Sequence, residues 1–331
     1  MASLSRRQFI ERAAFGAAAA GIAAARGTSL RAEPLGLPIG CQTYPERQRI
    51  ADGKFVEVLK ELYAAGIRQI ELCSPGYQQF ASLADGKQTK RIIQDSGLTC
   101  VSSHFSFNEF RDGLPKAIAW AHDVGLTQIG TASLPANMGT QAQPIVTMVN
   151  GATSEDSIKR AADAYHRIAT VAKSEGLQQF LHNEAFENSR TLDGRLTYPL
   201  LLNALDPDLV KMQFQMSSMQ VVGNPITYFR LYPGRFISAH VHGVDLTTSP
   251  PARGAVMPVK PDPNAPARGR GAAAGPTGPD ALAIGDDSVN WPAVFTAAKD
   301  GGLKNYFIEQ EARSGWDAMV KGIAYLKTLS A

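Results

Sequence analysis

One pattern of apolar and polar positions recurs along the chain. Each copy has a glycine, an aliphatic residue, two mostly polar residues and then a run of strand-like residues. The copies are AAGIRQIEL (64–72), DSGLTCVSS (95–103), DVGLTQIGT (123–131), SEGLQQFLH (174–182) and DGGLKNYFI (300–308). A glycine that ends a helix takes the left-handed conformation, and a short loop then enters a buried strand. The pattern therefore predicts a helix, a glycine cap and a strand in each copy.

Amphipathic segments precede several of these glycines, and one more closes the chain. Apolar residues three and four positions apart mark their buried faces. The segments are FVEVLKELYAA (55–65), KRIIQD (90–95), LPKAIAWAHD (114–123), SIKRAADAYHRIATVAKS (157–174) and WDAMVKGIAYLKTL (316–329). Helices that alternate with strands in this way build a parallel sheet.

Three further strand-like runs bring the number of predicted strands to eight. They are LPIGCQ (37–42), LVKMQFQ (209–215) and RFISAHV (235–241). The eight strands are predicted near 38–42, 69–73, 99–103, 127–131, 178–182, 210–215, 236–241 and 305–309. Eight strand–helix units in a chain of this length predict an α/β fold, a single (βα)8 TIM barrel over residues 33–331. A doubly wound open sheet is the alternative, but no GxGxxG motif opens a strand-to-helix turn.

The first 32 residues have the features of a twin-arginine signal peptide. SRRQFI (5–10) carries the arginine pair, and the alanine-rich stretch 13–25 follows it. That stretch is too short and too weakly apolar for a spanning helix, which needs about 20 strongly apolar residues. An ordinary amphipathic N-terminal helix is the alternative. We expect a protein exported to the periplasm by the twin-arginine export machinery, with no membrane association after processing.

The predicted signal peptide also accounts for the basic character of the chain. The whole chain has a net charge of +3, and residues 1–32 hold five arginines and one glutamate, so the remainder has a charge of −1. A nearly neutral mature chain offers no electrostatic footprint for nucleic acid or an anionic membrane. Cys41, Cys73 and Cys100 lack CxxC spacing and fall in strand-like runs, so buried thiols are predicted.

Residues 249–280 interrupt the alternation of helices and strands. The segment is dominated by proline, glycine and alanine, which cannot build a packed core. It follows the seventh predicted strand, on the side where a barrel carries its active site. A flexible flap over that face and a passive insertion are both compatible with this composition.

Polar residues gather where the predicted strands end. The C-terminal ends of barrel strands face one shared mouth. The residues expected there are Gln42, Tyr44, Glu71, His104, Glu109, His182, Glu184, Gln213, Gln215, His240, His242, Glu309 and Glu311. Imidazole and carboxylate groups that converge suit one divalent metal, with Mn, Zn, Co or Fe favoured over Mg. Such a metal polarises a sugar carbonyl, and a carboxylate or histidine beside it moves a proton.

Each of these side chains also has a structural interpretation. A single histidine at a strand end is more often a hydrogen-bonded structural group than a ligand. Glu71 could pair with a basic residue inside the barrel. Glu309 would be costly to bury unless a metal or an arginine lay beside it. Their joint placement at strand ends is what favours a functional mouth.

Several segments resemble the sugar phosphate isomerase/epimerase family of xylose isomerase-like TIM barrels, and in particular its exported twin-arginine members. The resemblance covers about residues 36–329. It depends on GIRQIELCSPGY (66–77), LHNEAFE (181–187), YFRLYPGRFISAH (228–240), IGDDSVNWPAVFTAAKDGGLKNYFIEQE (284–311) and the signal peptide. These motifs are typical of the superfamily and do not specify one reaction.

The resemblance implies a metal held by residues on the fifth to eighth strands. Strand seven supplies His240 and strand eight supplies Glu309. On strand five His182 lies nearest the family's acidic position and Glu184 follows two residues later, so both stay open. Strand six has Gln215 where the family usually has an aspartate, and this glutamine brings no charge.

Catalytic and substrate-binding roles are also expected for residues at the strand ends. Glu184, Glu309 and His242 are expected to be catalytic. The predicted substrate-binding residues are Gln42, Tyr44, Glu71, His104, Gln213 and Glu187.

The expected function is a metal-dependent isomerase or epimerase of a sugar or keto-sugar that abstracts a proton next to a carbonyl. A lyase or hydratase of 3-keto-glycosides or inososes is the first alternative. A non-catalytic sugar-binding barrel that has lost its metal is the second, and Gln215 is the residue that favours it. The expected ligand is a small carbohydrate, and the resemblance leaves a homo-oligomer open.

Overall fold

Eight parallel strands close into a barrel in the computed structural model, which describes residues 34–132, 134, 145–246, 282–311 and 315–329. The strands are β1 Gly40–Gln42, β2 Gln69–Cys73, β3 Thr99–Phe105, β4 Gln128–Ala132, β5 Gln178–His182, β6 Val210–Gln215, β7 Phe236–Val241 and β8 Asn305–Ile308. Each strand pairs with its neighbours in chain order, and β8 pairs with β1 to close the ring. The predicted (βα)8 barrel is confirmed. The predicted signal peptide (1–32) and insertion (249–280) lie outside the described residues.

Helices surround the barrel between successive strands. The main ones are α1 Phe55–Ala65, α2 Gly86–Asp95, α3 Phe107–Val124, α4 Glu155–Ser174, α5 Thr197–Ala204, α6 Pro225–Leu231, α7 Trp291–Asp300 and α8 Gly315–Leu326. Shorter helical segments are Arg47–Ala51, Met219–Val222 and the 3-10 turns Pro34–Gly36, Tyr44–Glu46, Gln78–Leu83, Phe186–Asn188 and Met216–Ser218. Three two-residue strands, Met148–Val149, Ala152–Thr153 and Arg190–Thr191, form a separate small sheet. Among the helices described, none has the length and apolar character needed to cross a membrane.

The recurring glycines act as the sequence pattern predicts. Gly66 ends α1 with φ 113° and Gly125 ends α3 with φ 87°, both in the left-handed region. The backbone N–H of each donates to carbonyls in the last turn of its helix. The corresponding glycines 97, 176 and 302 also have positive φ. This turn chemistry directs the chain from each helix into the next buried strand.

The barrel separates two kinds of interior. Between the strands and the helices lies one large apolar cluster, which contains wall residues such as Ile70, Leu72 and Ile129. Inside the barrel, Phe180 on β5 lies across Gly130 on β4, where a Cβ would overlap the phenyl ring. The ring therefore fills the lower barrel because β4 carries no side chain there, and polar side chains occupy the space beside it.

Candidate functional site

Two of the strands that carry site histidines have irregular registers. The pairing of β2 with β3 shifts at Val101, and the pairing of β6 with β7 shifts at Ile237. An extra residue in a strand bends it and re-aims the side chains that follow. His104 and His240 follow these shifts, and both side chains project into the barrel.

Three imidazoles meet inside the mouth. The ring centroids of His104 and His182 are 5.0 Å apart, those of His104 and His240 5.2 Å, and those of His182 and His240 4.4 Å. All three side chains are buried, and one ring nitrogen of each lies within 4.8 Å of the others. In the part of the chain that the structure describes, these three form the group able to hold a metal ion. His104, predicted to bind substrate, is thereby placed with the candidate ligands.

Glu309 and Gln215 extend the histidine cluster on the side of His240. The Nδ1 atom of His240 lies 3.2 Å from Glu309 Oε2, and Gln215 Nε2 donates to the same oxygen at 2.8 Å. Because the amide nitrogen of Gln215 faces Glu309, its amide oxygen points away from Glu309. That oxygen is buried and has no hydrogen-bond partner among the described residues. The structure thus places Gln215 and Glu309 beside His240, whose ring is also in contact with that of His182.

A fully buried carboxylate, Glu71, lies against the imidazoles from inside the barrel. Its Oε1 is 2.5 Å from His240 Nε2 and 3.3 Å from His104 Nε2. An ionised carboxylate only accepts hydrogen bonds, so both Nε2 atoms carry the proton. Glu71 therefore contacts the Nε2 atoms of His240 and His104, on the side of each ring that faces into the barrel.

Three polar side chains donate to the same carboxylate, and a fourth contacts one of them. Gln42 Nε2 donates to Glu71 Oε1 at 2.8 Å, while Ser102 Oγ and Gln213 Nε2 donate to Oε2 at 2.5 and 2.9 Å. Gln213 Nε2 also donates to Ser238 Oγ at 2.9 Å. We call these five residues, from β1, β2, β3, β6 and β7, the polar floor. All five are buried, so the floor supports the histidines from below instead of lining the open mouth.

The charges of the floor and the cluster stabilise one another. Burial alone would raise the pKa of Glu71, but attraction to and hydrogen bonding with His104 and His240 outweigh it, and the pKa lies well below its usual value. Burial opposes a charge on His240 as well. The adjacent carboxylates of Glu309 and Glu71 nevertheless raise the pKa of His240 to about 10. The ring of His240 therefore lies between two carboxylates that favour its charged form.

The rim of the mouth carries further predicted residues. Glu184 follows β5, is partly exposed, and its Oε2 lies 3.8 Å from His182 Nε2. Tyr44 packs edge-on against Tyr77 with centroids 6.4 Å apart, and the guanidinium of Arg47 lies over the Tyr44 ring. Burial raises the pKa of Tyr77, and the charge of Glu184 contributes to this shift. Aromatic, acidic and basic groups thus line one side of the entrance.

Two residues predicted to belong to the site, Glu187 and His242, lie outside the group formed by the three histidines, Glu309 and Gln215. Glu187 is fully buried and accepts a hydrogen bond from the backbone of Ala185 at 3.0 Å. Its charge raises the pKa of the Tyr165 and Tyr198 phenols, after the larger effect of their burial, which places it toward α4 and α5. His242 follows β7 directly and is half-buried. The roles expected for Glu187 and His242 stay predictions.

Sequence reasoning missed several groups that shape the site. Ser102 and Ser238 belong to the polar floor, and Asn183 Oδ1 accepts a hydrogen bond from the backbone of Gln215 at 3.0 Å. Tyr77 stands beside Tyr44 at the rim. Strand alternation from the predicted inward positions would have found Ser102 and Ser238, since each precedes an inward histidine by two residues.

The donor set fits a divalent transition metal. His182 and His240 offer imidazole nitrogens, Glu309 offers a carboxylate oxygen, and Gln215 offers the amide oxygen that has no other partner. A buried polar atom left without a hydrogen bond is uncommon and calls for a partner. Mixed nitrogen and oxygen ligands favour Zn, Fe, Co or Mn over Mg or Ca. His104 is the third imidazole within reach.

Comparison with known proteins supports the fold and the family. A family described as xylose isomerase-like TIM barrel matches residues 59–329. No curated protein matches the sequence. A sugar phosphate isomerase/epimerase from Parabacteroides distasonis superposes with a TM-score of 0.65 at 19% identity, covering 92% of this chain and 96% of that one.

Two other solved structures have the same fold at lower identity. The probable 3-DHS dehydratase AsbF from Bacillus anthracis gives a TM-score of 0.59 at 13% identity, with 88% and 98% of the chains covered. The IOLI protein with a bound zinc atom gives 0.56 at 10% identity, with 88% and 95% covered. Similarity at this level shows a common fold. The chemistry of this chain has to be inferred from the residues of its own site.

Proposed function

Because the chain belongs to the xylose isomerase-like TIM barrel family, we propose that it is a metal-dependent isomerase or epimerase of a sugar or keto-sugar. The observation that carries this proposal is the buried amide oxygen of Gln215, which lies beside the histidine cluster and Glu309 and has no hydrogen-bond partner among the residues that the structure describes. Structural relatives support it, since they include a protein titled sugar phosphate isomerase/epimerase and one with bound zinc.

Four side chains would hold the cation: His182, Gln215, His240 and Glu309. When bound, the cation supplies a Lewis acid that polarises a substrate carbonyl and so acidifies the adjacent C–H. Glu309 accepts a hydrogen bond from Gln215 Nε2 at 2.8 Å, and its Oε2 lies 3.2 Å from His240 Nδ1. Its carboxylate is the buried group that accepts the proton in this proposal.

Glu184 is the second proton carrier. Its side chain is 24% exposed, so it can exchange protons with solvent at the mouth, and its Oε2 lies 3.8 Å from His182 Nε2. Epimerisation needs one group that removes the proton and another that returns it on the opposite face. Glu309 inside and Glu184 at the rim provide such a pair, and His242 at the end of β7 is a further proton donor.

A lyase or hydratase of keto-glycosides is the second candidate. The fifth-strand position nearest the family's acid holds His182, an imidazole with 1% side-chain exposure. A carboxylate is therefore missing from one of two positions, and β-elimination does not need a group that returns the proton to carbon, because a leaving group is expelled instead. A dehydratase among the structural relatives is compatible with this candidate.

Metal analysis and solvent isotope exchange test these candidates. Protein purified without chelator should contain about one transition-metal ion per chain, and incubation with keto-sugars in deuterated water should place deuterium next to the carbonyl. Retention of the carbon skeleton supports isomerisation or epimerisation, whereas release of an aglycone supports the lyase. Glu309→Gln should abolish the exchange, and Glu61→Gln, a surface acid paired with Arg49, serves as the matched control. A chain that binds no metal would eliminate both candidates.

The proposal includes export through the twin-arginine route, which favours glycosides and free sugars as substrates. The sequence has no glycine-rich phosphate loop, so phosphate is left out of the expected substrate. Replacing Arg6 and Arg7 with lysine should retain the protein inside the cell, as measured by fractionation. Unchanged export of that double variant would refute the assignment.

A further inference from the structure

Glu71 has no role in the proposed proton transfers, although several buried side chains donate hydrogen bonds to its carboxylate. It is completely buried and accepts four hydrogen bonds from residues of β1, β3, β6 and β7, while His104 Nε2 lies 3.3 Å from it. An isolated ionised carboxylate at such a depth would be strongly destabilising. Its surroundings therefore keep it charged and keep its orientation fixed.

The amide of Gln213 defines the proton position on one imidazole. Gln213 Nε2 donates to Glu71 Oε2 and Ser238 Oγ, both at 2.9 Å. The amide oxygen is then left to accept, and His104 Nε2 lies 2.8 Å from it. His104 therefore carries its proton on Nε2, which points toward the polar floor.

His240 has the same arrangement with a shorter contact. Its ring stacks on that of His104 with an interplanar angle of 11°, and its Nε2 lies 2.5 Å from Glu71 Oε1. Its other nitrogen, Nδ1, faces Glu309, which is also the partner of Gln215. Nε2 of His240 thus contacts the polar floor, and Nδ1 faces the candidate ligands.

We propose that Glu71 is a positioning residue that fixes the proton of His240 on Nε2 and so presents Nδ1 to a divalent cation. This inference rests on the proposed metal site. A metal-ligating histidine commonly donates its other N–H to a carboxylate, which orients the ring and raises its basicity as a ligand. Through its hydrogen bond to Nε2 of His240, Glu71 also supplies a negative charge that Gln215 does not bring.

Metal affinity of the Glu71→Gln variant tests the inference. Zinc is titrated against a competing chelator into protein stripped of metal, and the dissociation constant is compared between wild type, Glu71→Gln and the surface control Glu61→Gln. The expected result is an affinity about 10- to 100-fold weaker for Glu71→Gln and unchanged for Glu61→Gln. Equal affinity of Glu71→Gln and wild type would overturn the positioning role, even if the variant melted at a lower temperature.

A second measurement needs no substitution in the floor. In zinc-loaded wild type with 15N-labelled histidine, the ring nitrogens of His240 should show Nδ1 bound to metal and Nε2 carrying a proton. The reverse assignment would overturn the inference while the metal site itself stood. Wild type that binds no zinc would overturn the metal site and the role of Glu71 together.

Discussion

The buried amide oxygen of Gln215 leads to a prediction with opposite outcomes for the metal-free and metal-loaded protein. Gln215→Leu removes a hydrogen bond from Nε2 to the carboxylate of Glu309, which contributes about 1.5–3 kcal/mol to the free energy of unfolding. The same substitution removes an unsatisfied buried oxygen, whose desolvation costs about 1–3 kcal/mol. The two effects nearly cancel, so the metal-free variant should unfold within about 1 kcal/mol of wild type.

The metal-loaded variant should lose most of the stabilisation that zinc provides. At free zinc about 1,000 times the dissociation constant, wild type gains about 4 kcal/mol. An affinity reduced about 100-fold by loss of a ligand leaves about 1.4 kcal/mol at the same zinc concentration. The difference of about 2.7 kcal/mol corresponds to a melting temperature about 5 °C lower, at about 2 °C per kcal/mol for a domain of this size.

Thermal unfolding with and without zinc measures both quantities, and Gln48→Leu, which changes an exposed glutamine paired with Asp52, is the matched control. The reasoning would be refuted if Gln215→Leu gained as much melting temperature from zinc as wild type does. It would also be refuted if the metal-free variant were destabilised by far more than 1 kcal/mol, since Oε1 would then have a partner that the geometry does not provide.

Three further predictions concern the barrel and its surface. Gly130→Ala places a methyl group against the Phe180 ring and should lower the free energy of unfolding in urea by about 1–3 kcal/mol. Adding Phe180→Leu should recover part of this loss. If the two substitutions were additive, the methyl group would not overlap the ring. Burial raises the pKa of the Cys41 thiol, so iodoacetamide at pH 8 should leave Cys41 unmodified in native protein and alkylate it in guanidinium, as read by peptide mass spectrometry. A hydrogen bond from Arg49 lowers the pKa of Glu61. The pair therefore stabilises the folded state at pH values above the unfolded pKa of Glu61, and this stabilisation is lost as the pH falls. Glu61→Gln should lower the free energy of unfolding in urea by less than about 1 kcal/mol at pH 7 and change it little at pH 3.

The barrel was predictable because each strand–helix unit carries its own local signals. The strand predicted at 178–182 is the observed β5, Gln178–His182, and the strand predicted at 236–241 is β7, Phe236–Val241. Glycines at helix ends fixed the boundaries, since the left-handed conformation excludes most other residues. The small sheet that includes Ala152–Thr153 was not predicted, because two-residue strands have no periodicity to detect.

The residue types of the site could be predicted, but their depth could not. Strand alternation shows that Glu71 and Gln213 point inward, yet it does not show that they lie under the histidines instead of facing the mouth. Glu187 was expected to bind substrate; it lies buried in the 3-10 turn Phe186–Asn188 and its charge raises the pKa of Tyr165 on α4, so its role stays a prediction. Neither register shift has a sequence signal, although the shift at Val101 sets the direction of His104.

The composition of the polar floor is consistent with the proposed cation site. Buried ion pairs are often no more stabilising than apolar residues of the same volume, because desolvation offsets their attraction. A barrel that only had to fold would fill this space with branched aliphatic side chains, as such barrels commonly do. Here Glu71 and its partners occupy it, and the arrangement determines which nitrogen of His240 faces Gln215 and Glu309. Since a structural core gains nothing from that choice, whereas a metal ligand depends on it, the buried carboxylate supports the proposed metal site.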